Sequence, residues 1–198
     1  MKMVKIDRKY QILDSAMKIF VDKGYSNTTI DDIANSASLS KGAIYHHFNS
    51  KKVIFLSLIA HWETLTFPDF YDKKNKNRGA IETLEYFADS IIDVYYKRKY
   101  VFLAESEFLS LANQDNDFKA ELEKLYDKLL NLFGLVIHKG IRIGEFKKVD
   151  SAKTSLLLLS GFQAINWMSV FRPDPLQIEL YIENFISVII DNIKVEKK

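Results

Sequence analysis

The stretch Thr28–Lys52 reads TTIDDIANSASLSKGAIYHHFNSKK and decides the fold of this chain. The Ser38–Ser40 segment interrupts a helical pattern, and Ser40 is a good N-cap for a second helix from Lys41 to about Phe48. Two short helices joined by a polar turn are typical of a helix-turn-helix, which binds DNA. The apolar residues that predict the first helix recur at relative positions 0, 3, 4 and 7: Ile30, Ile33, Ala34 and Ala37.

The second helix is predicted to bury its apolar side and to leave its polar side outward. Ile44 and Phe48, four residues apart, share the inner side. Gly42 and Ala43 are small enough to let the helix approach a DNA groove, and Lys41 can reach base edges or phosphate. The residues predicted to contact DNA are Thr29, Ser40, Lys41, Gly42, Ala43, Tyr45, His46, His47 and Lys51.

Over roughly the first 60 residues, the order and spacing of these features resemble the N-terminal domain of the TetR (tetracycline-repressor-like) family of bacterial transcription regulators. One departure is Ser38, where family members usually carry glycine. That turn position often needs a positive φ, which costs serine more than glycine. The residues that carry the resemblance are Phe20, Gly24, Tyr25, Thr28, Thr29, Ile33, Ala34, Ala37, Leu39, Ser40, Lys41, Gly42, Ile44, Tyr45, His47, Phe48 and Lys51.

The sequence predicts an all-α protein, because long periodic runs are interrupted by only 7 Gly and 3 Pro. The resemblance implies a helix-turn-helix DNA-binding domain over residues 1–52, a linking helix over about 51–66, and a helical bundle for ligand binding and dimerisation over 67–198. Pro68 and the polar run Asp72–Gly79 predict a loop between the two domains. The remaining helices are predicted over Asp7–Lys23, Ile81–Tyr96, Val101–Leu111, Phe118–Lys139, Ser151–Val170 and Leu176–Lys194.

Charge is distributed unevenly along the chain. Residues 1–52 hold nine Lys or Arg and five Asp or Glu, a net charge of +4, whereas the remainder holds 19 and 21, a net charge of −2. A basic excess in the predicted DNA-binding part suits phosphate binding, although an asymmetry of this size also arises by chance.

We expect a cytoplasmic protein without a membrane span. The N-terminus has no apolar run of the length that a signal peptide needs. The most hydrophobic stretch, Leu156–Phe171, contains Gly161, Gln163 and Asn166 and is shorter than the roughly 20 residues of a membrane span. The chain has no cysteine, which excludes disulfides and thiolate metal sites.

The last two helices are apolar on more than one side, which predicts burial on two faces. Leu156–Leu159 is a continuous leucine run, and isoleucines recur through Ile178–Ile190. The resemblance implies a homodimer through a four-helix bundle of these helices; the alternative is a fully internal helix in a monomer. A two-fold dimer places its recognition helices about 34 Å apart and predicts a palindromic operator.

A small-molecule effector is the second partner that the resemblance implies, held inside the C-terminal bundle. Aromatic rings beside a buried carboxylate would suit a cationic or hydrogen-bonding amphiphile. The alternative is that the aromatic residues form the core and the glutamates lie on the surface. The predicted ligand-binding residues are Tyr95, Phe102, Glu105, Phe108, Phe133, Gln163, Asn166 and Trp167.

The leading hypothesis is a ligand-responsive transcription regulator, most simply a repressor released from its operator by the effector. A second hypothesis is an architectural DNA-binding protein on the same fold with no effector. An enzyme is disfavoured, because the sequence lacks a nucleophile elbow, a P-loop, a glycine-rich dinucleotide loop and a paired-histidine motif. We therefore predict no catalytic residues, no metal site and no cofactor.

Overall fold

The computed structural model describes residues 7–67, 78–171 and 174–196. These residues form nine α-helices and no strand, which confirms the all-α prediction. The predicted loop at Pro68 and over residues 72–77 lies outside the described residues. The helices are α1 (Arg8–Asn27), α2 (Ile30–Ser36), α3 (Lys41–His47), α4 (Lys51–Thr66), α5 (Ala80–Lys97), α6 (Lys99–Ala112), α7 (Asn116–Ile143), α8 (Ser151–Phe171) and α9 (Pro175–Ile193).

Helix α1 changes direction at Gly24, the residue that follows its predicted end at Lys23. Gly24 has φ +73° and ψ 163°, a conformation that is essentially restricted to glycine. The chain then makes one more helical turn as far as Asn27, so α1 extends past the predicted end at Lys23. Asp7 caps the start, because its side chain accepts the backbone N–H groups of Lys9 and Tyr10.

The described residues divide into two compact units, and the first contains the helix-turn-helix. It combines α1–α4, as far as Leu65, with Tyr100–Leu125 from α6 and the first part of α7. Its core is a set of aromatic rings packed edge to face. The centre of the Phe55 ring lies 4.6 Å from that of Phe20, 5.4 Å from that of Phe108 and 5.2 Å from that of Phe118. The Trp62 indole N–H adds a buried hydrogen bond of 2.8 Å to the Val101 carbonyl.

The second unit contains α5, the rest of α7, α8 and α9. Its core is a row of phenylalanine rings. The centre of the Phe87 ring lies 5.0 Å from that of Phe133 and 4.8 Å from that of Phe162. Phe162 then lies 5.3 Å from Phe185, whose ring packs directly on Gly161. A Cβ at position 161 would lie 2.1 Å from that ring, so α8 and α9 approach closely only because this residue is glycine.

Helix α8 is longer than the apolar run from which the sequence argument excluded a membrane span. It spans 21 residues, an 18-residue window within it has a mean hydropathy of 1.2, and by length and composition alone the helix could cross a membrane. Only 28% of this apolar window is buried within the chain. Among the described residues, a large apolar surface of α8 is therefore exposed.

Candidate nucleic-acid interface

Helix α3 packs on the protein core with one face and exposes the opposite face. Ser40 caps its start, since its Oγ accepts the Ala43 backbone N–H at 3.1 Å, which confirms the predicted N-cap. Ile44 is fully buried and Phe48 is 4% exposed. On the opposite side the exposed residues are Lys41, Gly42, Tyr45 and His46, whereas Ala43 and His47 are partly exposed.

The turn before α3 adopts the conformation that the sequence predicts. Ser38 has φ +52° and is the one non-glycine residue with a positive φ among those that the structure describes. This value lies in the left-handed region, where a Cβ is unfavourable. The turn therefore has a glycine-type geometry without a glycine.

Thr29 closes the N-terminus of α2 through a capping box. The backbone N–H of Asp32 donates to Thr29 Oγ1 at 3.1 Å, and the backbone N–H of Thr29 donates to Asp32 Oδ2 at 2.8 Å. Lys23 Nζ forms a further ion pair of 2.6 Å with Asp32. The hydrogen bond from Lys23 lowers the pKa of the Asp32 carboxyl most, and the hydrogen bonds from Thr29 lower it next. Together they hold this pKa well below its usual range. The predicted DNA contact Thr29 is thus an exposed residue whose hydroxyl already serves the cap.

Lys41 forms an ion pair across the two short helices. Its Nζ lies 2.8 Å from Oδ2 of Asp31, and the side chains are 52% and 63% exposed, respectively. The hydrogen bond to Asp31 raises the pKa of Lys41. This pairing was not predicted from the sequence, because it depends on how α2 packs against α3.

Lys51, a predicted phosphate contact, points into the first unit. Its Nζ donates to the carbonyls of Tyr25 at 2.7 Å and Thr28 at 2.8 Å, and it lies 4.3 Å from the centre of the Tyr25 ring. Burial lowers the pKa of its ammonium group. Two of the three ammonium N–H groups are thereby used within the fold, and a phosphate contact would use the third.

Two further polar residues hold the helix-turn-helix in place, and neither was predicted. Gln11 Nε2 donates to the Ala37 carbonyl at 2.7 Å and so ties α1 to the end of α2. Lys52 forms ion pairs with Asp115 at 2.6 Å and Asp117 at 2.7 Å. No local sequence signal identifies these pairs, because the partners lie far apart along the chain.

The predicted ligand-binding residues divide between the two units. Phe102, Glu105 and Phe108 are buried in the first unit, and Glu105 is 3% exposed. The second unit holds the rest: Tyr95, Phe133 and Asn166 are buried, Gln163 is partly exposed, and Trp167 is 58% exposed.

Two open grooves flank the exposed face of α8 in the second unit. One, of about 640 Å³, lies between α7 and α8 and includes Leu135, His138, Ser151 and Leu156. The other, of about 430 Å³, lies between α8 and α9 and includes Met168, Tyr181 and Phe185. Both grooves are lined by residues other than the predicted ligand-binding set. Within the described ranges, no group of three or more His, Asp or Glu could hold a metal ion.

The fold and the exposed α3 define a helix-turn-helix protein, and comparison with known proteins assigns its family. Residues 12–58 match the sequence profile described as "Bacterial regulatory proteins, tetR family". The biofilm operon icaADBC HTH-type negative transcriptional regulator IcaR of Staphylococcus aureus (strain Newman) is 31% identical over 130 residues, which cover 61% of this chain and 70% of IcaR. The chain therefore belongs to the TetR family of DNA-binding transcription regulators.

Matches over the whole length of the chain agree with this assignment. The HTH-type transcriptional repressor KstR2 of Rhodococcus jostii (strain RHA1) is 23% identical over 199 residues, which cover 96% of this chain and 92% of KstR2. Among solved structures, a TetR transcription regulator from Haloarcula marismortui ATCC 43049 has a TM-score of 0.81 at 18% identity, covering 96% of this chain and 99% of that one. These findings confirm the family resemblance, and two of these relatives, IcaR and KstR2, are a negative transcriptional regulator and a transcriptional repressor, respectively.

Proposed function

We propose that this protein is a transcriptional repressor that binds a palindromic operator as a homodimer and is released by a small-molecule effector. The observation that carries the proposal is the presentation of α3. Its apolar residues Ile44 and Phe48 are buried, whereas Lys41, Tyr45 and His46 are exposed on the other side. A helix fixed in this way is the element that a helix-turn-helix inserts into the major groove.

Gly42 supports a close approach of α3 to DNA. A Cβ built at this position would meet only Ser40 Oγ, at the ordinary contact distance of 3.8 Å. The fold itself therefore has room for alanine, which forms helices better than glycine does. An external surface that comes close to α3 is a sufficient reason for glycine here.

A second copy of the chain is the proposed cover for the exposed apolar face of α8 and α9. We name this the α8/α9 face. A monomer seldom leaves so many large apolar side chains in water on two neighbouring helices. The exposed residues of this face are Leu156, Leu157, Trp167, Met168, Val170, Phe171, Leu176, Leu180 and Val188.

The eight residues that the sequence analysis selected for effector binding remain candidates, each within its own unit: Phe102, Glu105 and Phe108 belong to the first unit and the other five to the second. Glu105 is the most informative of them, because a carboxylate that is 3% exposed beside aromatic residues suits a cationic ligand. Phe102 precedes it by one helical turn of α6, and Phe108 follows it at a similar spacing. Trp167, which is exposed in the isolated chain, belongs to the α8/α9 face as well.

The proposed division of labour assigns residues 1–52 to DNA, the helix over 51–66 to the link, and 67–198 to the effector and the partner subunit. We place the protein in the cytoplasm, where a DNA-binding regulator meets its operator. An effector can shift DNA affinity only by its differential affinity for the two states of the protein.

Selection of bound duplexes from a random pool, with and without a library of metabolites and drugs, tests the proposal. A palindromic consensus that one class of compounds releases is the expected result. Enrichment without a consensus, unaffected by every compound, would instead support an architectural protein without an effector. Failure to bind any duplex would contradict both.

A further inference from the structure

The ion pair between Asp31 and Lys41 is not explained by a contribution to the stability of the fold. Both side chains are more than half exposed, and exposed ion pairs contribute little to the free energy of unfolding. Lys41 is also the first residue of α3, so its positive charge lies at the positive end of the helix dipole. Neither the ion pair nor the helix dipole therefore gives a reason of stability for a lysine at this position.

The geometry gives Asp31 control over that lysine. The Asp31 carboxylate receives Lys41 Nζ at 2.8 Å and neutralises it in the protein without DNA. The same carboxylate lies on the side of the helix-turn-helix that carries Lys41, so it would come near the phosphates of any duplex that α3 approaches. Like charges brought together at an interface oppose binding.

We propose that Asp31 determines specificity by holding Lys41 until a matching base acceptor replaces the carboxylate. On a non-operator duplex Lys41 finds no such acceptor, and the negative charge of Asp31 weakens binding. On the operator the lysine gains a base contact, which offsets the loss of the ion pair. Asp31 thereby widens the ratio between operator and non-operator affinity, as a repulsive element does in specific recognition.

This inference rests on the proposed function, since it requires α3 to face DNA. The test is a double-mutant cycle of Asp31→Asn and Lys41→Met, measured on the selected operator and on a random duplex over a series of salt concentrations. Asp22→Asn is the matched control, because it removes one exposed carboxylate from α1 of the same unit. Thermal unfolding of each variant checks that the fold is retained.

Asp31→Asn should raise affinity for the random duplex by about three- to tenfold and for the operator by less than about twofold. The specificity ratio should therefore fall, whereas Asp22→Asn should leave it unchanged. The slope of log affinity against log salt on the random duplex should steepen by about 0.9 per subunit, as one more lysine reaches phosphate. In the Lys41→Met background, Asp31→Asn should no longer change the ratio.

Three results would overturn the inference while the proposed function stands. A ratio that Asp31→Asn leaves unchanged would show that the carboxylate has no part in specificity. An equal effect in the Lys41→Met background would reduce Asp31 to a general charge. A loss of operator affinity in Asp31→Asn would make Asp31 itself a base contact. A wild-type protein that binds no duplex would overturn the proposed function as well.

Discussion

At the scale of single residues, Lys51 connects the stability of the fold to the DNA-binding surface. Its ammonium group donates to the carbonyls of Tyr25 and Thr28, and Thr28 immediately precedes the capping residue Thr29. We expect Lys51→Met to lower the free energy of unfolding by about 1–3 kcal/mol, because two carbonyls lose a charged donor. Chemical denaturation measures this, and the exposed Lys148 replaced by methionine is the control.

The same variant separates two roles of Lys51 in DNA binding. If its third N–H also reaches phosphate, the slope of log affinity against log salt flattens by about 0.9 per subunit. A fall in stability with an unchanged salt slope would contradict the predicted phosphate contact and leave Lys51 as a residue that positions the α1–α2 turn.

Gly42→Ala tests close approach to DNA without disturbing the fold. Alanine fits, since outside the adjoining backbone of α3 the nearest atom to its Cβ would be Ser40 Oγ at 3.8 Å, and it should stabilise α3 by up to about 1 kcal/mol. We expect the thermal midpoint to rise or stay constant while operator affinity falls. Ser36→Ala, at the exposed end of α2, is the matched control. Unchanged operator affinity in Gly42→Ala would show that α3 does not approach DNA at this residue.

Glu107 gives a pH dependence whose sign follows from burial. Burial raises the pKa of its carboxyl, and the hydrogen bond from the Tyr25 backbone acts in the opposite direction. The pKa of Glu107 is higher in the folded state than in the unfolded state. Its contribution to the free energy of unfolding is therefore fully present below the unfolded-state pKa, and it is lost as pH rises through the folded-state pKa. Glu107→Gln should therefore flatten this decline and raise the free energy of unfolding at neutral pH.

Denaturant titrations at a series of pH values, from just below 4.5, the ordinary pKa of this carboxyl, upwards to neutrality, measure the effect. Glu85→Gln removes an exposed carboxylate from α5 and controls for the loss of charge. A Glu107→Gln variant less stable than the wild type at neutral pH would show that the Tyr25 hydrogen bond outweighs desolvation.

At the scale of helices and turns, the strained turn between α2 and α3 is open to a direct test. Ser38→Gly should raise the free energy of unfolding by about 0.5–1 kcal/mol, because the left-handed conformation costs glycine much less than serine. Ser36→Gly, in the helical conformation of α2, should lower it by a similar amount. A destabilised Ser38→Gly variant would show that the serine side chain makes a contribution larger than the strain.

What the sequence predicts well in these elements is local. The cap at Ser40, the turn at Ser38 and the break at Gly24 each depend on a few neighbouring residues, so a pattern identifies them. The partners of Lys51 and Asp31 were not predicted, because packing between helices determines them. Composition and spacing carry no information about which carbonyl or carboxylate an amine reaches.

At the scale of the whole molecule, the effector-binding residues show the same limit more strongly. Glu105 and Phe133 were grouped by residue type along the chain, but they belong to different compact units. Trp167 was grouped with them and lies on the exposed face of α8. An aromatic residue in an apolar helix gives the same sequence pattern whether it lies in the core, in a ligand cavity or at a subunit interface. The sequence therefore does not distinguish these three environments.

The proposed dimer is tested by charging the α8/α9 face. Leu157→Lys combined with Leu180→Lys places unpaired charges where a second copy would bury the side chains, which are 53% and 54% exposed in one chain. Sedimentation equilibrium should show a monomer, and operator affinity should fall with it. Ile143→Lys, at the end of α7 and 48% exposed, is the control. A doubly charged variant that remains dimeric would exclude this face as the interface.

The contact between Phe185 and Gly161 also limits which residues related proteins can carry at these two positions. A side chain at position 161 would need the space that the Phe185 ring fills, so a larger residue at 161 would require a smaller one at 185. Both line the groove beside the α8/α9 face. A lineage that exchanges this pair would alter the surface through which we propose that two copies of the chain pair. Two duplicated genes could in this way come to encode regulators whose subunits no longer mix.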